Sequence, residues 1–394
     1  MKLRHGISFL HRSAWFAAAG VMLIAACQTP APRPATPLQQ SSAINKEHVD
    51  LFGNFDPPKK IGTVENIGLQ LPTISPDGQQ MLYLQSDSVP ISSRTLLGSP
   101  DPNHTPPAGT LSIWLRPASG TEAGRQLSSY RWSHSPVWSD SGHSIAYGVN
   151  DPPKSFIVHV DLATGRETLL GVPDALNCLP RFDGDDRTLL YCSAANVNGP
   201  FCVYRQIVGD VDRVQMTPSG VNCLFPVKSD DRGRVLCARV DGDHLSWVES
   251  GLNGVTELVP QWGLADPAAM LQTWAGIASP LSPDGRNFMF YDPLQNRIAA
   301  FILPEKHLVN HRPRSIAACW LTNEAIALAT DELTFLTNNK TGMSLQLFNG
   351  LWIPNRYIPR ERRLILLGRQ SDQRFSIVEV LFKTREADQK NRTY

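Results

Sequence analysis

Short apolar runs, each cut by a polar turn-forming cluster, recur along this 394-residue chain. In residues 71–85 an apolar or β-branched run ends at Ser75, Pro76-Asp77-Gly78 reverses the chain, and Met81 to Leu84 starts a return run. Proline presets one turn dihedral, glycine accepts backbone angles that other residues resist, and aspartate bonds to nearby N–H groups. The segment therefore predicts a β-hairpin. The pattern returns over 135–148 and 179–191, in degraded form over 224–236 around Ser229-Asp230-Asp231-Arg232-Gly233, and cleanly over 280–291. Weaker units start near Trp320 and Ile358. The second half of each unit repeats in outline: Leu111 to Pro117 leads through Gly120 to Arg125, and Phe156 to Asp161 leads through Gly165 to Glu167. Each such half reads as a strand, a turn and another short strand.

Turns roughly 35 to 65 residues apart suit one four-stranded blade per unit. The expected fold is all-β, a β-propeller over residues 51–383, with seven blades favoured and six possible. Residues around 61–70 are placed to add the outer strand of the last blade and so close the ring without exposed sheet edges. A β-sandwich is the alternative, and it does not readily explain so many similar hairpins. The Ser-Pro-Asp-Gly turns at 75–78 and 282–285 resemble those of TolB-like and related WD40-like propeller repeats. The resemblance covers about residues 65–383. Unit four lacks the proline and the last two units lack the turn, and TolB-like propellers usually have six blades, so the departures bear on the blade count.

The N-terminus follows a different pattern. Lys2, Arg4 and Arg12 precede Ala14 to Ala26, an apolar run of 13 residues without charge. As a helix it would rise about 20 Å, short of a bilayer core of roughly 30 Å, so it reads as an export signal over residues 1–26. Leu23-Ile24-Ala25-Ala26-Cys27 resembles the lipobox of bacterial lipoproteins. That resemblance implies cleavage before Cys27 and a diacylglycerol on its thiol, holding the chain to the membrane. Gln28, where many species place a retention aspartate, implies sorting to the outer membrane facing the periplasm. Residues 27–50, rich in Pro, Gln, Ala and Ser, read as a flexible tether, and residues 384–394 as a polar tail.

Composition narrows the partners. The formal charge is +1, and losing the three basic residues of the signal leaves about −2, so no basic field for nucleic acid is implied. About 330 residues remain for the body, more than one compact core usually serves, a size that repetition accommodates.

Candidate chemistry is sparse. An oxidising envelope permits disulfides among the remaining cysteines. Cys178 and Cys223 fall at equivalent points of neighbouring units and make one candidate pair; Cys192 and Cys202 flank one turn and make another. Cys237 and Cys319 are expected to be buried singly. No short Cys-x-x-Cys pair accompanies a spaced His pair, so no metal or other cofactor is expected. His134, His143, His307 and His311 assemble no motif, and Asp77, Asp140 and Asp284 read as local backbone acceptors of the turns. The basic segment Arg356, Arg360, Arg362, Arg363 and Arg369 reads as a solvated blade edge. One insertion, with Ser88, Arg94, His104 and Gly109, is a candidate binding loop over a propeller face. The absence of a nucleophile elbow, a His-Glu-x-x-His pair or a phosphate loop weighs against an enzyme.

The leading expectation is a noncatalytic envelope lipoprotein whose propeller binds a protein partner. The alternatives are a carbohydrate- or peptide-processing enzyme with its site in the central channel, and a lipoprotein that binds a glycan or small ligand.

Overall fold

The computed structural model describes residues 55–66, 70–87, 110–151, 154–196, 199–242, 244–264, 277, 279–292, 295–371 and 374–383. Cys27, the expected lipidation site, the stretches expected to form a tether and a tail, and the candidate loop with Ser88, Arg94, His104 and Gly109 lie outside them.

The turn-punctuated runs form antiparallel sheets in which sequence neighbours pair. The first strand, β1 (Lys59–Glu65), is the exception. Blade 1 is β2 (Thr73–Ile74), β3 (Gln80–Ser86), β4 (Leu111–Pro117) and β5 (Arg125–Gln126). Blade 2 is β6 (Ser133–Trp138), β7 (Ser144–Asp151), β8 (Lys154–Asp161) and β9 (Glu167–Leu170), and blade 3 is β10 (Leu176–Phe182), β11 (Thr188–Ala194), β12 (Cys202–Ile207) and β13 (Arg213–Gln215). Blade 4 is β14 (Asn222–Ser229), β15 (Val235–Asp241), β16 (His244–Gly251) and β17 (Gly254–Leu264). Among the described residues blade 5 shows β18 (Asn287–Asp292), β19 (Arg297–Ile302) and β20 (His307–Pro313), with Leu281 bridged to Phe288 where an innermost strand would run. Blade 6 is β21 (Ser315–Trp320), β22 (Ala325–Thr330), β23 (Leu333–Asn338) and β24 (Ser344–Asn349).

Blade 7 is β25 (Trp352–Ile358), β26 (Arg363–Arg369) and β27 (Arg374–Leu381), and its outer strand is β1, paired antiparallel to β27. The chain is an all-β, seven-bladed propeller closed by its own N-terminal strand. At this seam Gly120 N donates to Ile61 O at 2.6 Å, and a Cβ on Gly62 would stand 2.6 Å from Gly120 O. Only a glycine lets the two backbones approach this closely. Arg116, 7% exposed, donates across the seam to Thr63 O at 2.7 Å, and also to Gly120 O and Glu122 O.

The core lies between blades rather than at one centre. Strand side chains alternate faces, so Leu82 and Leu84 of β3 pack on Tyr147 and Val149 of β7, while Met81 and Tyr83 meet Ile365 and Leu367 of β26. Second strands are sandwiched on both faces. This accounts for runs such as β11, in which every residue is buried, in place of an alternating pattern. The largest cluster joins blades 3, 4 and 5 through Leu190, Cys192, Leu236, Trp247, Phe288 and Phe290.

Candidate functional site

The innermost strands line the central channel, and their sequence sets what faces it. Blades 2, 3 and 4 carry residue-Pro steps at Ser135-Pro136, Leu179-Pro180 and Phe225-Pro226. The residue before each proline has positive φ, 52°, 53° and 53°, and the ladder register slips at each step. Proline cannot donate to a ladder and suits an edge strand. A non-glycine at positive φ stores on the order of 1–3 kcal/mol of strain that the surrounding packing must hold. In blade 2 that hold is visible: Gln70 accepts from Ser135 N at 2.7 Å and donates to Ser135 Oγ at 2.9 Å.

Just past the slip, the pairing to the second strand defines one equivalent position per blade. Thr73 stands opposite Leu82, Val137 opposite Ala146, Arg181 opposite Leu190, Lys228 opposite Leu236 and Arg356 opposite Ile365. Three blades therefore place a cation in one tier of the channel. Lys228 Nζ donates to Gly285 O of the next blade at 2.6 Å, and Arg356 Nε donates to Ile74 O of blade 1 at 3.3 Å. The Arg181 side chain makes no hydrogen bond or ion pair among the described residues. Blades 3 and 7 are not neighbours in the ring, yet the charge of Arg356 bears on Arg181, and both arginines feel Asp140 of blade 2. The space they share is the channel. Desolvation pushes Arg181 down to about 10, with Asp140 opposing the shift and Arg356 adding to it. It stays cationic at neutral pH.

The turns below this tier are built as expected at two of the three aspartates. Asp77 Oδ1 accepts from Ser75 Oγ and Gln79 N, and Asp284 Oδ1 from Ser282 Oγ and Arg286 N. In blade 2 the role passes to Ser141, whose Oγ accepts from His143 N. Asp140 takes the place that Pro76 holds in blade 1. It is exposed, and its charge reaches the channel arginines.

Of the basic segment expected to be a solvated edge, Arg360 is exposed, while Arg356 and Arg363 correct that expectation. Arg356 belongs to an innermost strand, and Arg363 is enclosed between Glu361 and Glu379, 2.8 and 3.4 Å away. Sequence reasoning missed Arg181 and Lys228, since a single basic residue inside an apolar unit carries no mark of the channel. Their shared offset from the turn was the only available signal.

The six described thiols are free and buried. Cys178 lies directly across the ladder from Cys192, and Cys202 lies across from Ser193. Cys237, buried and without a disulfide, hydrogen-bonds Cys223. Burial pushes Cys178 up to about 12 and Cys319 up to about 11, and holds Cys192 well above the usual thiol range. His134 is sealed against Gly148, with Nδ1 3.0 Å from Ser135 Oγ, and desolvation lowers it to about 4. His311, 7% exposed, is likewise lowered to about 4 by desolvation and then by Arg297. His143 is exposed, 3.8 Å from Asp186. Among the described residues no group of three His, Cys, Asp or Glu side chains is placed to hold a metal ion. A groove of about 260 Å³ at the seam of blades 7 and 1 is lined by Thr63, Glu65, Gln85, Arg116, Glu122 and Arg374. Arg116 there is committed to closing the ring.

Comparison with known proteins finds no matching family model and no matching curated protein. Solved structures do match. An oligogalacturonate lyase in complex with manganese superposes with a TM-score of 0.54 at 10% identity, over 82% of this chain and 90% of that one. A putative TolB from Agrobacterium tumefaciens is 22% identical over 51% of this chain and 70% of its own, with a TM-score of 0.38. TolB from Acinetobacter baumannii is 16% identical, with a TM-score of 0.41, and 61% of each chain is covered. The likeness is one of fold. At 10% identity the lyase shares the propeller architecture with this chain, and its activity is not carried over.

Proposed function

We propose that this protein is an envelope lipoprotein, anchored through Cys27 to the outer membrane and facing the periplasm, whose propeller binds a protein partner without catalysis. The observation that carries this reading is where the reactive side chains sit. The thiols and the imidazoles of His134 and His311 are buried in the packing between blades, and burial holds Cys178, Cys192, Cys319 and both imidazoles in their neutral forms. The turn faces, by contrast, are held by side-chain to backbone bonds at Asp77, Ser141, Asp185, Asp230 and Asp284. A rigid ring that presents pinned turns, on a tether that supplies reach, suits capture of another envelope protein.

The test is crosslinking in intact envelopes followed by mass spectrometry. One reproducible partner, lost when the propeller is removed but the lipidated tether is kept, is the expected result. No specific partner, under conditions that capture a known envelope complex, would overturn the reading.

A further inference from the structure

The channel tier holds cationic donors that the fold does not use. An arginine offers five N–H donors in a planar fork. Among the described residues Arg181 uses none of them, and Arg356 uses one, on Ile74 O. Both side chains are hemmed in by protein yet keep accessible surface, as befits an open channel. Two like charges held across a desolvated space repel, so a purely structural role would favour an uncharged residue at one of these positions. Thr73, in the same tier of the adjoining blade 1, adds a buried hydroxyl with no partner among the described residues. The nearby carboxylates do not quench the pair: Asp77 is engaged by its own turn, and Asp140 forms no ion pair with either arginine among the described residues. Asp140 and Asp77 are exposed and their charge reaches Arg356, so a ligand with a single carboxylate is favoured over one carrying negative charge along its whole length.

We propose that Arg181 and Arg356, reaching into the channel from opposite sides of the ring, form a binding site for a carboxylate group, with Lys228 as a third positive charge in the same tier. Arg–carboxylate pairs are planar and bidentate, and partial exclusion of water strengthens them. The inference rests on the binding reading of the propeller and deepens it. The carboxylate belongs either to an acidic segment of the protein partner or to a small free acid.

The test uses the full-length lipidated protein in detergent at low salt, titrated calorimetrically with succinate and separately with a capped tetraglutamate peptide. Saturable binding of at least one probe is expected, weakened at least tenfold in Arg181→Gln and in Arg356→Gln and unchanged in Lys60→Gln on the outer strand. Arg181→Lys keeps the charge but loses the fork and should fall between. Because the Arg181 side chain has no hydrogen bond to lose among the described residues, Arg181→Gln should melt no lower than the parent, which keeps the result readable if Arg356→Gln folds poorly. Succinate binding alone assigns the site to a small acid, and peptide binding assigns it to a protein segment. Saturation by neither probe below about 10 mM, equivalent to roughly 2.7 kcal/mol, overturns the proposal, as does equal affinity in Arg181→Gln. The two readings fail separately. A crosslinked partner retained by Arg181→Gln leaves the scaffold standing and removes the peptide from the channel, whereas succinate binding without any partner leaves the site standing and removes the scaffold.

Discussion

His134 shows how far a residue's role depends on where the fold puts it. Its ring packs on Gly148, where even a Cβ would stand 2.5 Å from the imidazole, and its pKa falls to about 4 because the charged form is desolvated. His311 behaves alike. The unfolded chain binds protons at these positions below about pH 6.5 while the folded chain does not, so stability falls with pH from there toward pH 4. Each such histidine adds about 1.4 kcal/mol per pH unit to that slope once its unfolded form is fully protonated. Urea melts between pH 6.5 and 5, above the range where most carboxylates titrate, should show the loss. His134→Phe should flatten it by about 1 kcal/mol per pH unit; an unchanged slope would remove His134 as a contributor. Asn177, 1% exposed, works by a different means. Its amide donates to Ser155 O, Val172 O and Ala175 O and accepts from Val172 N, tying the loop into β10 to the blade behind it. Asn177→Ala should cost about 2–4 kcal/mol in urea denaturation, since it leaves buried carbonyls unpaired.

At the scale of elements, the seam between β1 and blade 1 carries the closure. Gly62→Ala would press a methyl group to 2.6 Å from Gly120 O and 3.1 Å from Ala118 O, both backbone atoms with little room to yield. A loss of about 1–3 kcal/mol is expected from such overpacking. Gly120→Ala, where nothing lies within 4 Å of the added carbon but φ is +86°, separates backbone strain from crowding at the same contact. The channel strands tell the complementary story. The hairpin units were legible from Pro76-Asp77-Gly78 and its echoes because turn chemistry is local: the residues that need unusual φ or that cap backbone N–H groups sit within five positions of one another. The slips at Ser135, Leu179 and Phe225 were not legible. Nothing local asks a leucine or phenylalanine before proline to take positive φ, and only packing from the neighbouring strands imposes it.

At the scale of the molecule, ring closure couples the two ends of the described chain. Deleting residues 28–65, with Cys27 retained, removes the outer strand of blade 7 and bares the edge of β27. Calorimetry should then show a melting temperature lower by 10 °C or more, and size exclusion should show association through the exposed edge; a monomer with the parent's melting point would mean that closure contributes little. The sequence by itself determined the all-β class and the repeat, favoured seven blades over six, and pointed to residues around 61–70 for the closing strand, which the structure places at Lys59–Glu65. Each of these rests on interactions within a hairpin or on the period of a strand. Tertiary structure alone decided which single residues meet. Arg181 falls within reach of the charge of Arg356 because the ring bends back on itself, Cys237 finds Cys223 through a sheet diagonal, and Asp140 is left out of its own turn because Ser141 serves there as the acceptor. Contacts between residues as far apart in sequence as blades 3 and 7 depend on the curvature summed over all the blades, and no local pattern of side chains records that sum.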